Sequence, residues 1–267
     1  MTKVIAVCNQ KGGVGKTTTA VNLSAYLSQM GRRVLFIDLD PQANGTTGLG
    51  INPNSLNKTV YHLLAYNILP DDLILKTRLS NLDILPASQD LIGIQIELIN
   101  VLNREFKLKE ALTAKKYDYD YVIIDLPPSL GLLTINGLVA AEQVIIPIQT
   151  EYYALEGLSQ LVQTVDLIRN NLGTDLKIMG ALLTLYDRRN RLDRLIAKEI
   201  RRKFSGYVFN TVIPRNVSLA EAPSFSQTIL EYSPNSEGGL AFRQLTQEVL
   251  SLENVVLQVD KPLTETF

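Results

Sequence analysis

Residues 11–18 read Lys-Gly-Gly-Val-Gly-Lys-Thr-Thr, two lysines and two hydroxyls set among three glycines. These are the ingredients of an anion cradle. Glycines let successive backbone N–H groups approach phosphate oxygens, and a helix that starts at the end of the run adds partial positive charge. Matched to the phosphate-loop pattern G-x-x-x-x-G-K-[ST], Lys16 would reach the β- and γ-phosphates of a nucleotide and the Thr17 hydroxyl would ligate Mg²⁺. Gly12, Gly13, Val14, Gly15 and Thr18 complete the cradle. The pattern's first glycine is replaced by Gln10, and beside it stands the second lysine, Lys11. That lysine needs an explanation.

Two further segments carry acids where apolar runs end. "FIDLDPQAN" places Asp38 and Asp40 at one strand end, and "VIIDLPPSLG" places Asp125 at another, after four apolar residues. Ligands of doubly wound sheets bind at this carboxyl edge. A carboxylate there suits Mg²⁺ or Mg²⁺-bound water, and Pro127–Gly131 would form a switch that senses the γ-phosphate. Asp40 has no lysine near it in sequence, so positioning a water is chemically open to it.

The elements that must hold these groups alternate. Lys3–Asn9, Arg33–Asp40, Leu82–Ser88, Tyr121–Pro127, Gln143–Ile148, Lys177–Thr184 and Tyr207–Pro214 read as strands, several of them apolar on both faces. Helical segments lie between them: Thr17–Met30 before Gly31, Leu155–Leu172 before Gly173, and Arg191–Phe204. The alternation predicts an α/β fold: one doubly wound, mostly parallel sheet with helices on both faces. With no composition break along 267 residues, one domain is expected, its core at about residues 3–252 and a C-terminal tail at 253–267. A net charge of −1 means that any nucleic-acid binding must come from local clustering. The single cysteine, Cys8, excludes a disulfide framework and a self-contained cysteine-ligated metal cluster, and fits a cytoplasmic protein. No apolar stretch approaches the ~20 residues that span a bilayer, and the N-terminus has no signal-peptide layout.

KGGVGKTT, DLDPQAN, IIDLPPSLG and IPRNVSLAEAPSFSQTI together resemble the ParA/Soj ATPases of chromosome and plasmid partition, a MinD-like branch of P-loop NTPases with a deviant Walker A motif. The resemblance runs from residue 3 to about residue 250. It implies ATP and Mg²⁺ as ligands, slow hydrolysis, and a sandwich homodimer formed on ATP binding. It also implies a role for Lys11: the family's signature lysine, reaching across the dimer to the phosphates of the partner subunit, by the logic of an arginine finger. A cation ~4 Å from a phosphate charge contributes about 4 kcal/mol at an effective dielectric of 20. Carried over in the same way, Asp40 positions the attacking water, Asp38 supports the metal shell, Asp125 holds Mg²⁺ through water, and Pro214 and Asn216 lie beside the adenine.

"DRRNRLDRLIAKEIRRK", residues 187–203, holds eight basic residues against three acidic ones. Leu192, Leu195, Ile196 and Ile200 recur at helical spacing and are expected to face the core, leaving the arginines outward. The resemblance implies non-specific double-stranded DNA binding through this region, with Arg188, Arg189, Arg191, Arg201 and Arg202 as candidates and Arg189 matching a family arginine. Such binding is backbone electrostatics and salt-dependent. Ser218 stands where related sequences often carry a basic residue.

The function expected from all this is a nucleoid-associated DNA-segregation ATPase, released from DNA when a ParB-like centromere-binding partner stimulates hydrolysis. An alternative is a ParA-like ATPase that positions a protein cargo over the nucleoid. A MinD-like membrane role needs a basic amphipathic C-terminal helix, whereas from Glu231 onward six acidic residues (Glu231, Glu237, Glu248, Glu253, Asp260, Glu265) face two basic ones (Arg243, Lys261), with Pro262 in the tail. No membrane partner is expected. An iron-protein role is disfavoured by the single cysteine, and an amidoligase role by "SLAEAPSF".

Overall fold

Every expected parallel strand but one forms. In the computed structural model these are β1 (Lys3–Val7), β2 (Val34–Asp38), β4 (Leu82–Leu85), β5 (Tyr121–Asp125), β6 (Gln143–Gln149) and β7 (Lys177–Thr184). A two-residue edge strand not read from the sequence, β3 (Leu75–Lys76), pairs antiparallel with β4. The structure describes residues 2–114 and 118–259; Asp260, Lys261, Pro262 and Glu265, which enter the tail-charge reading, lie outside the described residues.

The sheet order is β3-β4-β2-β5-β1-β6-β7, and all pairs but β3–β4 are parallel. From β1 the chain moves outward to β2, then returns through β5 and crosses β1 to β6. The order therefore reverses beside the carboxyl end of β1, where α/β sheets bind ligands. Strand alternation explains the apolar runs. In β2, Leu35 and Ile37 enter one core layer with Ile124 and Ile146, while Val34 and Phe36 enter the opposite layer with Ile123, Ile145, Tyr26 and Phe242. Each such fully buried side chain contributes about 1.5–3 kcal/mol.

The helices Lys16–Gln29, Ala154–Leu172 and Arg191–Lys203 match the expected ones to within a residue or two. The first two end at glycines in the left-handed region, Gly31 (φ 82°) and Gly173 (φ 62°), which stop a helix without a Cβ penalty. Among the described residues, no helix is long and apolar enough to cross a membrane.

Two expectations need correcting. Residues 207–214 do not form a strand but run beside β7 with only isolated bridges, Ala181 to Val208 and Tyr186 to Pro214. Between the bridges the Asn210 and Thr211 amides donate to the Glu248 carboxylate at 2.6 and 2.9 Å instead of to the sheet, and Pro214 has no amide to donate. In the basic helix, Leu192 and Leu195 are exposed, whereas Asp193, Ala197 and Ile200 face the protein. Ile196, partly buried against the core, and Ile200 face it as expected, so the helix meets the body along a 193/196/197/200 stripe that leaves Leu192 and Leu195 at its edge.

Candidate active site

The loop between β1 and the Lys16–Gln29 helix is tied down from both sides. The Asn9 side-chain amide donates to the Pro147 carbonyl at 2.7 Å, and its carbonyl oxygen accepts from the Lys11 amide at 3.0 Å. From β7, the Thr184 hydroxyl donates to the Val14 carbonyl at 2.8 Å. Gly13 and Gly15 have φ of 75° and 85°, where a side chain would strain the backbone. Lys16 opens the helix, is buried, and donates from Nζ to the Lys11 carbonyl at 3.0 Å, so its ammonium lies folded over the loop. Burial lowers its pKa, against the opposing charges of Asp125 and Asp40. Cys8 lies just before the loop, its thiol pushed up to about 12 by burial, so it has no nucleophilic thiolate at neutral pH.

The acids sit at adjacent strand ends. Val7 pairs with Asp125 across β1 and β5, and Asp125 with Asp38 across β5 and β2. Both carboxyls are fully buried, and they are used differently. Asp38 accepts from the Asp40 amide at 3.0 Å on one oxygen, and from the Thr46 amide and hydroxyl at 2.7 and 2.8 Å on the other. It therefore braces the Asp40–Thr46 turn. Gly45 lets the turn come this close, since a Cβ there would lie 2.6 Å from the Phe36 ring. Burial raises the Asp38 pKa from the usual 3.8 to about 6, with hydrogen bonds from Thr46 and Asp40 pulling the other way.

Neither oxygen of Asp125 has a hydrogen-bond partner. Its pKa is pushed well up by burial first and by the Asp38 charge second; the nearby Thr17 hydroxyl and Lys16 oppose this, Thr17 without closing a hydrogen bond. A buried carboxylate left unpaired is costly, and a divalent cation next to it would relieve that cost. No cluster of three or more metal-ligating acids, histidines or cysteines occurs among the described residues. That fits Mg²⁺, which keeps several waters and is held by one or two carboxylates plus phosphates. Thr17 and Asp125 are the groups that could hold such an ion, while Asp38 is taken up by the turn that it braces.

A cavity of about 500 Å³ brings Gly12, Gly13, Gly15, Lys16, Thr17 and Thr18 together with Asp40, Pro214 and Asn216. Asp40 accepts from the Gln42 amide at 2.9 Å. The Asn216 side-chain oxygen Oδ1 caps a short helix by accepting from the Leu219 amide at 3.1 Å, which leaves the Nδ2 donors of that side chain unused by the cap. Val14 is buried beneath the loop.

Lys11 stands apart from this cavity. Its ammonium forms an exposed ion pair with Glu151, in the turn after β6. Such surface pairs are worth ~0–1 kcal/mol, so Glu151 restrains the side chain only weakly.

The basic candidates do not form one cluster. Arg188 and Arg189 precede the helix and Arg191 opens it, while Arg201 and Arg202 lie in its last turn, roughly 15–20 Å away at 1.5 Å per residue. Arg201 donates to the Phe209 carbonyl at 2.9 Å, with Val208 and Asn210 carbonyls at 3.4 Å, so it fastens the 207–210 segment. Arg202 pairs with Glu199 at 2.8 Å. Sequence reasoning missed Thr46, Thr184 and Glu151. The signal for Thr46 was a hydroxyl beside a glycine just after the acidic strand end; Thr184 and Glu151 gave none, because their partners are far away in the chain.

A glycine cradle between a parallel strand and a helix, with acids at the ends of the next two strands on one side, defines a P-loop nucleotide site on a doubly wound sheet. A family model described as an AAA domain matches residues 2–178. The chain is 52% identical to the sporulation initiation inhibitor protein Soj of Bacillus subtilis, over 93% of this chain and 98% of that one. It is 47% identical to the chromosome partitioning protein ParA of Myxococcus xanthus, over 93% and 88%. A crystal structure named cobyrinic acid a,c-diamide synthase from Mycobacterium smegmatis, with bound ADP and magnesium, superposes with a TM-score of 0.83 at 38% identity, covering 95% of this chain and 96% of that one. The chain belongs to the ParA/Soj family of chromosome-partitioning ATPases.

Proposed function

We propose that residues 1–267 act as one unit, an Mg²⁺-dependent partition ATPase that works as an ATP-bound sandwich dimer. In this reading the dimer holds double-stranded DNA non-specifically over the nucleoid and lets go after hydrolysis stimulated by a ParB-like partner. The chain's own groups divide the work. Lys16 and the loop amides neutralise the phosphates, Asp40 orients the attacking water, and Pro214 and Asn216 border the base. Mg²⁺, held through Thr17 and Asp125, would supply charge neutralisation at the phosphoryl oxygens.

The observation that carries the dimer is the divergence of the two lysines. Lys16 lies over its own loop, whereas Lys11 points away to an exposed, weakly held partner, Glu151. A lysine aimed out of its own site is free to serve another. An amidoligase reading, suggested by the name of the M. smegmatis structure, has less behind it: 38% identity against 52% and 47% for the partition proteins.

Mixing variants tests the proposal. Lys11→Ala should bind ATP as a monomer and fail to dimerise, Lys16→Ala should not bind ATP, and an equimolar mixture should recover ATPase activity through one composite site. Loss of ATP binding in Lys11→Ala would refute the trans role.

A further inference from the structure

The side chain of Arg189 is almost wholly solvent-exposed, 87%, yet its fork is already filled. Nε donates to Asp187 Oδ1 at 3.0 Å and Nη2 to Oδ2 at 2.9 Å, a two-pronged pairing, and the Arg189 amide donates to the same Oδ1 at 2.9 Å. An arginine fork takes a phosphate in this same bidentate manner. The turn that presents Asp187 is pinned on both sides. Its amide donates to the buried Asp193 carboxylate at 2.8 Å, and Arg194 donates to the Arg188 and Arg189 carbonyls at 2.7 and 3.1 Å. The carboxylate is therefore a fixed feature of the surface rather than a passing neighbour.

We infer that Asp187 sits where a DNA phosphate docks on Arg189, so that it sets DNA affinity by competing for the fork. This rests on the DNA-binding reading above and goes beyond it, because it assigns a function to an acid in the middle of the basic segment. Each DNA contact through Arg189 must displace a tethered competitor. That lowers affinity without removing the cation, which suits a protein that must leave DNA as well as bind it. Segment 184–187 also joins the two sites. Thr184 clamps the loop at Val14, and Tyr186 exchanges backbone bonds with Ile213 and Arg215 beside the cavity, at 3.1 Å each.

The test is a double-mutant cycle read by fluorescence anisotropy, with a labelled random-sequence duplex, ATP and Mg²⁺. Asp187→Asn keeps an acceptor for the Arg189 amide but removes the competing charge. It should tighten binding about eightfold per engaged subunit at 0.1 M salt, and steepen the log–log salt dependence by about 0.9 for each. In an Arg189→Ala background the same change should alter affinity by less than about twofold, since contacting residues couple and independent charges add. Glu237→Gln, which removes another acid whose charge acts on Arg189, should give a much smaller gain. Equal tightening in both backgrounds would mean simple charge addition, and weaker binding would mean that Asp187 only positions Arg189; either overturns the inference. Asp187→Ser, which also keeps a turn acceptor, should behave as Asp187→Asn, and its failure to do so while melting like the wild type counts against the idea. If the wild type binds DNA and the cycle shows no coupling, only this inference falls. If the wild type does not bind even at 50 mM salt, the DNA reading falls with it.

Discussion

Asp38 and Asp125 stand opposite each other on adjacent parallel strands, both fully buried, and only Asp38 has hydrogen-bond partners. The pair divides structural support from ligand chemistry. One acid is saturated by the turn that carries Asp40, and the other is left open beside Lys16 and Thr17.

Asp125→Asn should accordingly stabilise the nucleotide-free protein. The amide is still buried without partners but no longer has to carry a charge away from water, which relieves on the order of 1 kcal/mol or more, and each kcal/mol moves the melting point of a chain this size by roughly 2–4 °C. Calorimetry in EDTA should show this rise, and the further rise that Mg²⁺-ATP gives the wild type should be lost. A variant that melts lower without metal would show that Asp125 is a structural acid.

The same geometry sets a pH dependence. Burial raises the Asp38 pKa to about 6 from 3.8, so the folded state binds its proton more tightly than the unfolded chain does. Its stabilising contribution is complete below about pH 4 and is lost as pH rises through 6. Asp125 is shifted the same way. Urea melts of metal-free protein should therefore give a smaller unfolding free energy at pH 7.5 than at pH 5.5, and Thr46→Val, which removes a hydrogen bond that favours the Asp38 carboxylate, should widen the gap. A flat profile would contradict the burial argument.

Asp40→Ala should bind ATP with near wild-type affinity, because Lys16 and the loop amides are untouched, yet hydrolyse it at least about 100-fold more slowly, the lower end of what a positioned general base contributes. Nucleotide titration and single-turnover hydrolysis separate the two effects. Normal turnover would remove Asp40 from the chemistry.

Arg189→Glu and Arg201→Ala should fail in different ways. The first should weaken ATP-dependent DNA binding about tenfold or more at 0.1 M salt with the melting point unchanged. The second loses a charged donor to backbone carbonyls, at about 1.5–3 kcal/mol, and should lower the melting point while shifting DNA affinity little. An Arg201→Ala protein of normal stability and poor DNA binding would return the last helical turn to the DNA surface.

The cradle and the acids at the strand ends were legible in the sequence because their chemistry is local. Gly13 and Gly15 take backbone angles that few other residues accept, and Asp38 and Asp125 follow apolar runs that can only be buried strands. Helix ends at Gly31 and Gly173 were readable for the same reason. What depended on partners far along the chain was not. Residues 207–214 have strand composition, but Glu248 and Arg201 satisfy much of their backbone polarity, so no strand forms. Leu192 and Leu195 follow a helical period, but both stay about half exposed at the edge of the contact. Tertiary structure alone decided that Asp38 braces Thr46, that Lys11 turns to Glu151 while Lys16 stays home, and that Arg189 is already held by Asp187. Local sequence sets which backbone and charge chemistry is possible, while the direction of a long or buried side chain is settled by whichever distant group folding brings within hydrogen-bond reach.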